Sequence, residues 1–377
     1  MKHTVLCGVD RISDLRTALA GKKIALLTSA SGVNKAGVST WQIIAEISDL
    51  RLLFAPEHGI ASAMQDGAFS KEDGVLHPET GARLYDITAL RGGDRLTELL
   101  REVDVAVYDI QDVGTRFYTY ICNLSQMMRA ARAAGVAVLV LDRPNPIGNH
   151  IVEGCILDES RFSSFVGEYA VPTRYGLTVG EYARYINTEK GIGCDLSVLT
   201  CEGWQPHWYY DETDLLWVNP SPNIPTVNCA VNYVGSCIYE ATNISEGRGT
   251  TRPFDWIGAP FVDEKALLRD MNALCLPGVI FRPMTFSPMF SKHAGQTCRG
   301  VELHVTDRDA YRPFETMLYM FRHFKKYPEF EMKKQGLAYR MGLDILTDDY
   351  HPAAILAKCE EDHRRFCEKV EKYRMYS

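Results

Sequence analysis

The clearest candidates for chemistry in this chain are a carboxylate and an imidazole that stand side by side, Glu57 and His58, in the stretch APEHGIASAMQDG. The stretch follows a short apolar run, Leu52–Phe54, which indicates the end of a buried strand. A catalytic pair, a metal site and a polar turn are all compatible with this pattern. Adjacent residues on an extended segment point to opposite sides, so the two side chains are not expected to contact the same atom. His58 is therefore interpreted as a residue that orients its neighbour.

Glu57 has the chemistry that glycoside hydrolysis needs. Cleaving an acetal requires an acid that protonates the leaving oxygen and a group that stabilises or attacks the oxocarbenium-like centre. The mouth of an apolar strand is a place where burial favours the protonated form of a carboxyl group, as a general acid requires. A turn or helix-capping role for Glu57 fits the sequence equally well.

Two further polar turns follow predicted strands. DIQDVGTRFYTY ends the run 103–110, and DRPNPIG ends the run 136–141. The carboxyl ends of parallel strands meet at one edge of a sheet, where ligands bind in open α/β folds. Asp and Asn are also common in turns for local reasons. The residues predicted to bind substrate at this edge are Asp109, Asp112, Arg116, Arg143 and Asn145.

The elements that must position these residues follow from the apolar pattern. Continuous Val, Leu and Ile runs that alternate with helices predict a parallel sheet buried on both faces. We therefore expect an α/β fold, with an N-terminal Rossmann-like domain (1–170) and a C-terminal α/β (α+β) domain (171–377). The active site is expected in the cleft between them. The predicted strands are 23–28, 51–54, 103–110, 136–141 and 301–305, and the predicted helices are 41–47, 120–134, 178–187, 264–273, 313–325 and 353–373.

Composition argues against several other classes of protein. The formal charge is −7 and no basic stripe with interleaved aromatics occurs, so no nucleic-acid partner is expected. No apolar run approaches the roughly 18 residues that span a bilayer, so no membrane partner is expected. Eleven cysteines without a C-x-x-C spacing, and an N-terminus without a signal-peptide pattern, indicate a cytoplasmic protein with free thiols.

Cofactor motifs are missing as well. The first βα turn, TSASGVNKAG, lacks the G-x-G-x-x-G of dinucleotide sites, and neither a P-loop nor a G-x-S-x-G elbow occurs. No cofactor and no metal are expected, although Glu57, His58, Asp109 and Asp112 leave a metal site open on paper. The segment EGRGTTRPF, with Glu246 and Arg248, is either an anion cradle or an exposed turn. Glu246 and Arg248, together with His58, complete the set of residues predicted to bind substrate.

Several long motifs occur in a fixed order along the chain. They are PEHG, VYDIQDVGTRFYTYI, LDRPNP with a downstream EG, PTRYGLT-GE, NPSPNIP and TNISEGRGTTRPF. In these motifs the chain resembles the bacterial exo-β-N-acetylmuramidases, long known as a domain of unknown function. The resemblance runs from about residue 23 to 307. It implies a two-domain architecture and release of N-acetylmuramic acid from the non-reducing ends of peptidoglycan-derived chains.

The resemblance also implies roles for individual residues. The family's catalytic glutamate, in its E-H-G motif, falls on Glu57, and a functional tyrosine, in its L-Y motif, falls on Tyr85 in ARLYDI. A role in stabilising the transition state is expected for Tyr85. Family members usually carry an arginine–glycine pair one residue after E-H-G, whereas this chain reads IASAMQDG (60–67), which predicts a different loop over the sugar.

The lactyl carboxylate of muramic acid calls for a cation, preferably arginine because its fork matches a carboxylate. Arg116, Arg143 and Arg248 are the candidates. Asp109 and Asp112 are candidates for a second acid or for holding the 2-acetamido group. Together these features predict a metal-independent glycosidase that acts on a peptidoglycan-derived sugar, of unknown oligomeric state. A non-catalytic muropeptide-binding protein and a metal-dependent hydrolase are the alternatives.

Overall fold

A computed structural model describes residues 2–65, 72–346 and 350–376. Within these ranges the strands form two sheets. The strands are β1 (Lys23–Thr28), β2 (Asp49–Ala55), β3 (Asp73–Leu76), β4 (Arg83–Asp86), β5 (Val105–Asp109), β6 (Ala137–Leu141), β7 (Leu196–Leu199), β8 (Trp256–Ala259), β9 (Val279–Phe286) and β10 (Cys298–Val305). The larger sheet has the order β3-β4-β2-β1-β5-β6-β7 and is parallel except for β3, which pairs antiparallel with β4. The smaller sheet, β8-β10-β9, is antiparallel.

Helices pack against both sheets, and capping residues mark the ends of some of them. They are α1 (Ile12–Leu19), α2 (Thr40–Ile47), α3 (Arg95–Leu100), α4 (Tyr120–Ala134), α5 (Glu159–Phe162), α6 (Val179–Glu189), α7 (Val227–Ser236), α8 (Glu264–Asn272), α9 (Pro313–Phe324), α10 (Lys334–Met341) and α11 (Pro352–Val370). Gly135 ends α4 in the left-handed conformation, which glycine adopts without strain. Thr178 caps α6 with its side-chain oxygen.

The central strands are apolar because both of their faces are covered. Every residue of β5 is buried, and so is every residue of β1 after Lys23. The parallel register pairs Ile24 with Val105 and Leu26 with Val107. The apolar core continues without a break from this sheet to α7 and α9. The predicted α/β fold class, a Rossmann-like parallel sheet followed by an α/β (α+β) region, is confirmed.

The sequence did not predict β3, β4, β7, β8 and β9. β3 and β7 contain exposed or half-buried residues throughout, so they lack the continuous apolar run that marks a buried parallel strand. β7 extends the parallel sheet past residue 170, and the division at that residue stays a prediction. None of the helices in the described ranges has the length and apolar composition needed to cross a bilayer.

Candidate active site

Glu57 lies just beyond the end of β2, buried against the start of α4. Thr119, the residue that precedes α4, donates a hydrogen bond from Oγ1 to Glu57 Oε2 at 3.1 Å. The amino end of a helix carries a partial positive charge, which stabilises a nearby carboxylate. Only 9% of Glu57 is exposed, so this carboxyl group sits in a largely desolvated place at the edge of the parallel sheet.

His58 points to a different set of partners. Its Nδ1 lies 2.8 Å from the carbonyl oxygen of Met64. A carbonyl oxygen only accepts, so Nδ1 must carry the hydrogen, and this fixes the tautomer of the neutral ring. The ring also packs edge-on against Tyr120, with 6.3 Å between centroids. His58 therefore braces the loop after the E-H-G motif, in agreement with adjacent side chains having separate contacts.

Both residues line an open cavity with about 80 Å³ of space. The walls are mainly aromatic and aliphatic, with a few polar and charged groups. The lining residues are Glu57, His58, Phe117, Tyr118, Thr119, Phe165, Val166, Ser221, Ile224, Tyr233, Glu240, Arg248, Phe254 and Arg340.

The NPSPNIP segment closes one side of this cavity. Tyr120 donates from its hydroxyl to the carbonyl oxygen of Pro220 at 2.6 Å, which ties the segment to α4. Asn223 donates from Nδ2 to Gln65 Oε1 at 2.8 Å, which ties it to the loop after Glu57. Residues 66 and 67 of the predicted altered loop lie outside the described residues.

Asp109 and Arg143, both predicted at the rim, bind each other. Arg143 donates from Nε to Asp109 Oδ1 at 2.5 Å and from Nη2 to Oδ2 at 2.8 Å, and the hydroxyl of Thr40 also donates to Oδ2. Burial alone would lower the pKa of Arg143, but the Asp109 carboxylate outweighs it and raises that pKa. The pair joins the ends of β5 and β6 and does not line the cavity.

Asp112 is also enclosed by the protein. The Tyr175 hydroxyl and the Gly114 backbone N–H, the latter at 2.6 Å, both donate to Asp112 Oδ2. Burial raises the pKa of Asp112 to about 6, and these hydrogen bonds limit the rise. Its carboxyl group is not part of the cavity wall.

Asn145 holds two turns together. It donates from Nδ2 to the carbonyl oxygen of Leu177 at 3.2 Å and accepts from the Ile147 N–H at 3.2 Å. A Cβ atom at Gly114 would lie 2.3 Å from Asn145 Oδ1, and Gly114 has a φ of 77°, so glycine is required there. The structure does not bring Asn145 to the cavity.

The guanidinium of Arg116 is fully buried and binds main-chain carbonyl groups. It donates to Cys155 O at 2.5 Å, Val171 O at 2.8 Å and Arg340 O at 2.6 Å. Burial lowers the pKa of Arg116 to about 10, so the group stays charged at neutral pH. Arg116 lies behind the cavity wall, where it binds the main chain of Arg340, one of the lining residues.

Tyr85 lies on β4, next to β2. Its ring packs against Phe54, with 6.1 Å between centroids, and only 3% of the residue is exposed. A Cβ atom at Gly74 would lie 3.2 Å from its hydroxyl oxygen, so the hydroxyl faces β3. Tyr85 is not among the described residues that line the cavity, and its transition-state role stays a prediction.

The EGRG segment brings charges to the cavity. Arg248 lines it and donates from Nη2 to Glu240 Oε1 at 2.6 Å, while its guanidinium carbon lies 5.1 Å from the centroid of the Phe254 ring. Glu246 stands behind Arg248 and pairs with Lys292 Nζ at 2.6 Å. Of the two EGRG residues predicted to bind substrate, the structure places Arg248 at the cavity and Glu246 behind it.

Sequence reasoning missed Glu240 and Arg340, which form an ion pair in the cavity wall. Arg340 donates from Nη2 to Glu240 Oε2 at 2.6 Å. Burial alone would raise the pKa of Glu240, but Arg248 and Arg340 outweigh it and lower that pKa to about 2. Arg340 belongs to α10, whose sequence KQGLAYRM carries no motif that signals a site. Glu240 lies six residues before Glu246 of the EGRG motif, and that proximity was the available clue.

Phe254 is a second lining residue that the sequence did not single out. It ends the EGRGTTRPF segment and has a φ of 64°, which costs energy for a residue with a side chain. Hydrogen bonds at both ends hold this conformation: its N–H donates to Glu246 O and its carbonyl accepts from Ser236 Oγ. Backbone strain of this kind is often found at functional sites.

The sequence left open a metal site formed by Glu57, His58, Asp109 and Asp112. Across the described ranges, no group of three or more His, Cys, Asp or Glu side chains is arranged to hold a metal ion. Asp109 and Asp112, two of the four residues considered for such a site, are instead bound to Arg143 and Tyr175.

Comparison with known proteins assigns the family. Residues 24–228 match the family model for the N-terminal part of the exo-β-N-acetylmuramidase NamZ, and residues 231–376 match the model for its C-terminal part. The chain belongs to the NamZ family. It is 43% identical over 340 residues to the peptidoglycan β-N-acetylmuramidase NamZ of Bacillus subtilis (strain 168), covering 89% of this chain and 81% of that protein. The chain is therefore a glycoside hydrolase, which favours an enzyme over the non-catalytic binding protein that the sequence left open.

Two solved structures share the fold of this NamZ family member. Both are DUF1343 family proteins from Bacteroides fragilis NCTC 9343. One aligns over 100% of both chains with a TM-score of 0.88 at 30% identity, and the other over 99% of both chains with a TM-score of 0.79 at 25% identity. The cavity walls come from both NamZ segments, with Glu57 to Ile224 in the first and Tyr233 to Arg340 in the second.

Proposed function

We propose that this NamZ family member releases N-acetylmuramic acid from the non-reducing ends of peptidoglycan-derived oligosaccharides, with Glu57 as the general acid. The observation that carries the proposal is the difference between the two carboxyl groups in the cavity wall. Glu240 is held by two arginines and has a pKa of about 2, so it is ionised at neutral pH. Glu57, the other carboxyl group of the wall, accepts a hydrogen bond from the Thr119 hydroxyl at 3.1 Å, and we assign the role of general acid to it.

The proposed reaction starts with proton transfer from Glu57 to the glycosidic oxygen. As the bond from the anomeric carbon to this oxygen breaks, positive charge develops on the sugar ring and the carboxylate of Glu57 appears. The hydroxyl of Thr119 and the amino end of α4 stabilise that carboxylate. Asp109 and Asp112 are bound by Arg143 and Tyr175, so we assign them to positioning the rim turns.

The cavity wall offers contacts for a muramic acid residue. Phe117, Phe165 and Ile224 offer apolar surface for the sugar and its methyl groups. Of the three arginines considered for the lactyl carboxylate, Arg248 lines the cavity, whereas Arg116 and Arg143 are bound elsewhere. The relative from B. subtilis is a peptidoglycan β-N-acetylmuramidase, which supports the same substrate class here.

A chromogenic β-N-acetylmuramide tests the assignment of Glu57. The Glu57→Gln variant keeps the shape of the side chain and its hydrogen bond with Thr119 but has no proton to donate. We expect kcat/KM to fall about 10²–10⁴-fold, the usual contribution of a general acid. Glu46→Gln, the same change on the exposed surface of α2, is the control and should match the wild type.

Two results would contradict the proposal. A wild-type protein that releases no chromophore would remove the proposed substrate. A Glu57→Gln variant as active as Glu46→Gln would remove Glu57 from the chemistry. A cytoplasmic location stays a prediction; the eleven cysteines are free thiols in the structure, as a reducing compartment requires.

A further inference from the structure

Two buried cysteines that the proposed reaction does not use lie against each other. Cys155 directly follows Gly154 of the EG motif, and Cys359 lies on α11. Their Sγ atoms are 3.5 Å apart, although 204 positions separate them in the chain. Only 1% of Cys155 and 3% of Cys359 are exposed. The two thiols therefore join the first NamZ segment (24–228) to the second (231–376) in the interior of the protein.

Hydrogen bonds on both sides of the thiols hold this contact in place. Arg116 donates from Nη1 to the carbonyl oxygen of Cys155 at 2.5 Å. His363, one turn after Cys359 on α11, has its Nε2 atom 2.7 Å from the carbonyl oxygen of Gly154. A carbonyl oxygen only accepts, so this ring nitrogen donates. The backbone around Cys155 is thus bound to α11 at the place where the two sulfur atoms meet.

The two thiols differ in acidity because they share one hydrogen bond. The hydrogen bond from Cys155 lowers the pKa of Cys359 below its ordinary value. Burial and Asp362 act in the opposite direction, whereas Lys358 and Arg116 reinforce the hydrogen bond. Donating this bond raises the pKa of Cys155 well above its ordinary value, and burial adds to the rise. The thiolate is the reactive form of cysteine, so Cys359 is the nucleophile of the pair.

A disulfide between these residues needs only a small rearrangement. The S–S bond is about 2.0 Å long, so the sulfur atoms have to approach each other by about 1.5 Å. Cys359 lies between two exposed residues of α11, Lys358 and Glu360, which places it close to the surface. Hydrogen peroxide, which is close to water in size, is the oxidant that suits so enclosed a pair.

We propose that Cys155 and Cys359 form an oxidative modification site, at which hydrogen peroxide converts the two thiols into a disulfide that locks α11 onto the first NamZ segment. This inference does not depend on the proposed function, because neither residue lines the cavity.

The proposed oxidation proceeds in two steps. The Cys359 thiolate attacks one oxygen of the peroxide, the O–O bond breaks, and the departing hydroxide takes up the proton that Cys359 released. The Cys155 sulfur then attacks the sulfenic acid on Cys359, so that the S–S bond forms and the S–O bond breaks. The Cys155 proton leaves with this oxygen as water. Two thiols are oxidised to one disulfide, and one peroxide is reduced to two waters.

Peptide mapping and thermal unfolding of the wild type test for this disulfide. After treatment with hydrogen peroxide, blocking with N-ethylmaleimide and digestion with trypsin, we expect a species that joins peptide 133–161 to peptide 359–364. Each of these peptides contains one cysteine. Dithiothreitol should separate them. The oxidised protein should unfold about 3 °C or more above the reduced protein, because the bond closes a long loop.

Matched variants separate the disulfide from other effects of peroxide. Cys359→Ser should give neither the joined peptides nor the upward shift in unfolding temperature. Cys298→Ser, the same change at a buried cysteine of β10, is the control and should behave like the wild type. Cys155→Ala replaces Cys359→Ser if the latter is not folded before oxidation.

Two results would overturn the proposal. In the first, peptides 133–161 and 359–364 stay separate in peroxide-treated wild type. In the second, Cys359→Ser shows an upward shift as large as that of the wild type, because the shift would then come from another reaction of peroxide.

Discussion

At the scale of single residues, the two carboxyl groups of the cavity wall have different neighbours. Glu57 accepts from the Thr119 hydroxyl at the amino end of α4, whereas Glu240 lies between two guanidinium groups that lower its pKa to about 2. Pairs of titratable groups with contrasting surroundings are the usual mark of divided acid and charge-stabilising roles. Surroundings also set the pKa of Asp112, a carboxyl group outside the cavity.

Asp112 should make the stability of the protein depend on pH. Its folded pKa of about 6 lies above the ordinary value of 3.8, because burial penalises the charge. The stability it contributes is therefore present below about pH 4 and is lost as the pH rises through 6. In Asp112→Asn, Oδ1 of the amide can still accept from Tyr175 and Gly114.

We therefore expect the unfolding free energy of Asp112→Asn, relative to the wild type, to rise between pH 4.5 and 7.5 by about 2 kcal/mol. Urea titrations at several pH values measure it. The same substitution at the exposed Asp94 is the control and should leave the wild-type pH profile unchanged. A relative stability of Asp112→Asn that is flat across this range would contradict the prediction.

The sequence could locate Glu57 because the motif and the end of an apolar strand coincide there. It could not tell which rim residues face the cavity. Asp109 and Arg143 satisfy the same spacing argument, but they bind each other because a buried charge needs a partner at close range. Arg340 was beyond sequence reasoning, since only the packing of α10 brings it to Glu240.

At the scale of elements, the site depends on two loops that touch through their backbones. The EGRG segment passes under the segment 287–295, where Met289 N donates to Gly249 O at 2.8 Å. A Cβ atom at Gly249 would lie 2.5 Å from Phe290 O, so a larger residue would push the loops apart. Arg248 immediately precedes this glycine, and the spacing of the loops therefore sets its position.

Gly249→Ala should consequently reduce activity as well as stability. Gly249 and Gly295 have φ angles of 80° and 73°, and alanine at either position should cost roughly 1–2 kcal/mol of unfolding free energy for the left-handed backbone. Gly295 has open space around its Cβ position, so Gly295→Ala is a matched control with strain but no clash. We expect kcat/KM on the chromogenic muramide to fall at least about tenfold in Gly249→Ala and less than about twofold in Gly295→Ala. Equal activity in the two variants would contradict this account.

Element boundaries were predictable where the local signal was strong. The predicted helix 120–134 coincides with α4 because Gly135 is a strong helix-termination signal. The predicted strand 23–28 coincides with β1 because a continuous apolar run is typical of a buried parallel strand. β4, which carries Tyr85, went unpredicted since its four residues are too few to show a period.

At the scale of the whole molecule, Arg116 connects the sheet to the C-terminal helices that complete the cavity. Its guanidinium spans the carbonyl groups of Cys155 and Val171 on one side and of Arg340, in α10, on the other. Gly342, which ends α10, leaves room for this contact, because a Cβ atom there would lie 3.0 Å from Arg116 Nη2. One buried cation therefore sets where α10 sits relative to the parallel sheet.

Replacing Arg116 by methionine should weaken both the fold and the site. Methionine fills a similar space but leaves three buried carbonyl groups without their donor, at about 3–5 kcal/mol of unfolding free energy in total. Arg340 loses its backbone anchor at the same time, so kcat/KM on the muramide should fall at temperatures where the variant is still folded. Arg132→Met, on the exposed face of α4, is the control for the loss of an arginine. Urea unfolding and initial rates, measured on the same preparations, test the expected losses of stability and of activity. If Arg116→Met unfolds within about 0.5 kcal/mol of Arg132→Met, the range typical of neutral surface changes, Arg116 does not hold the two parts together.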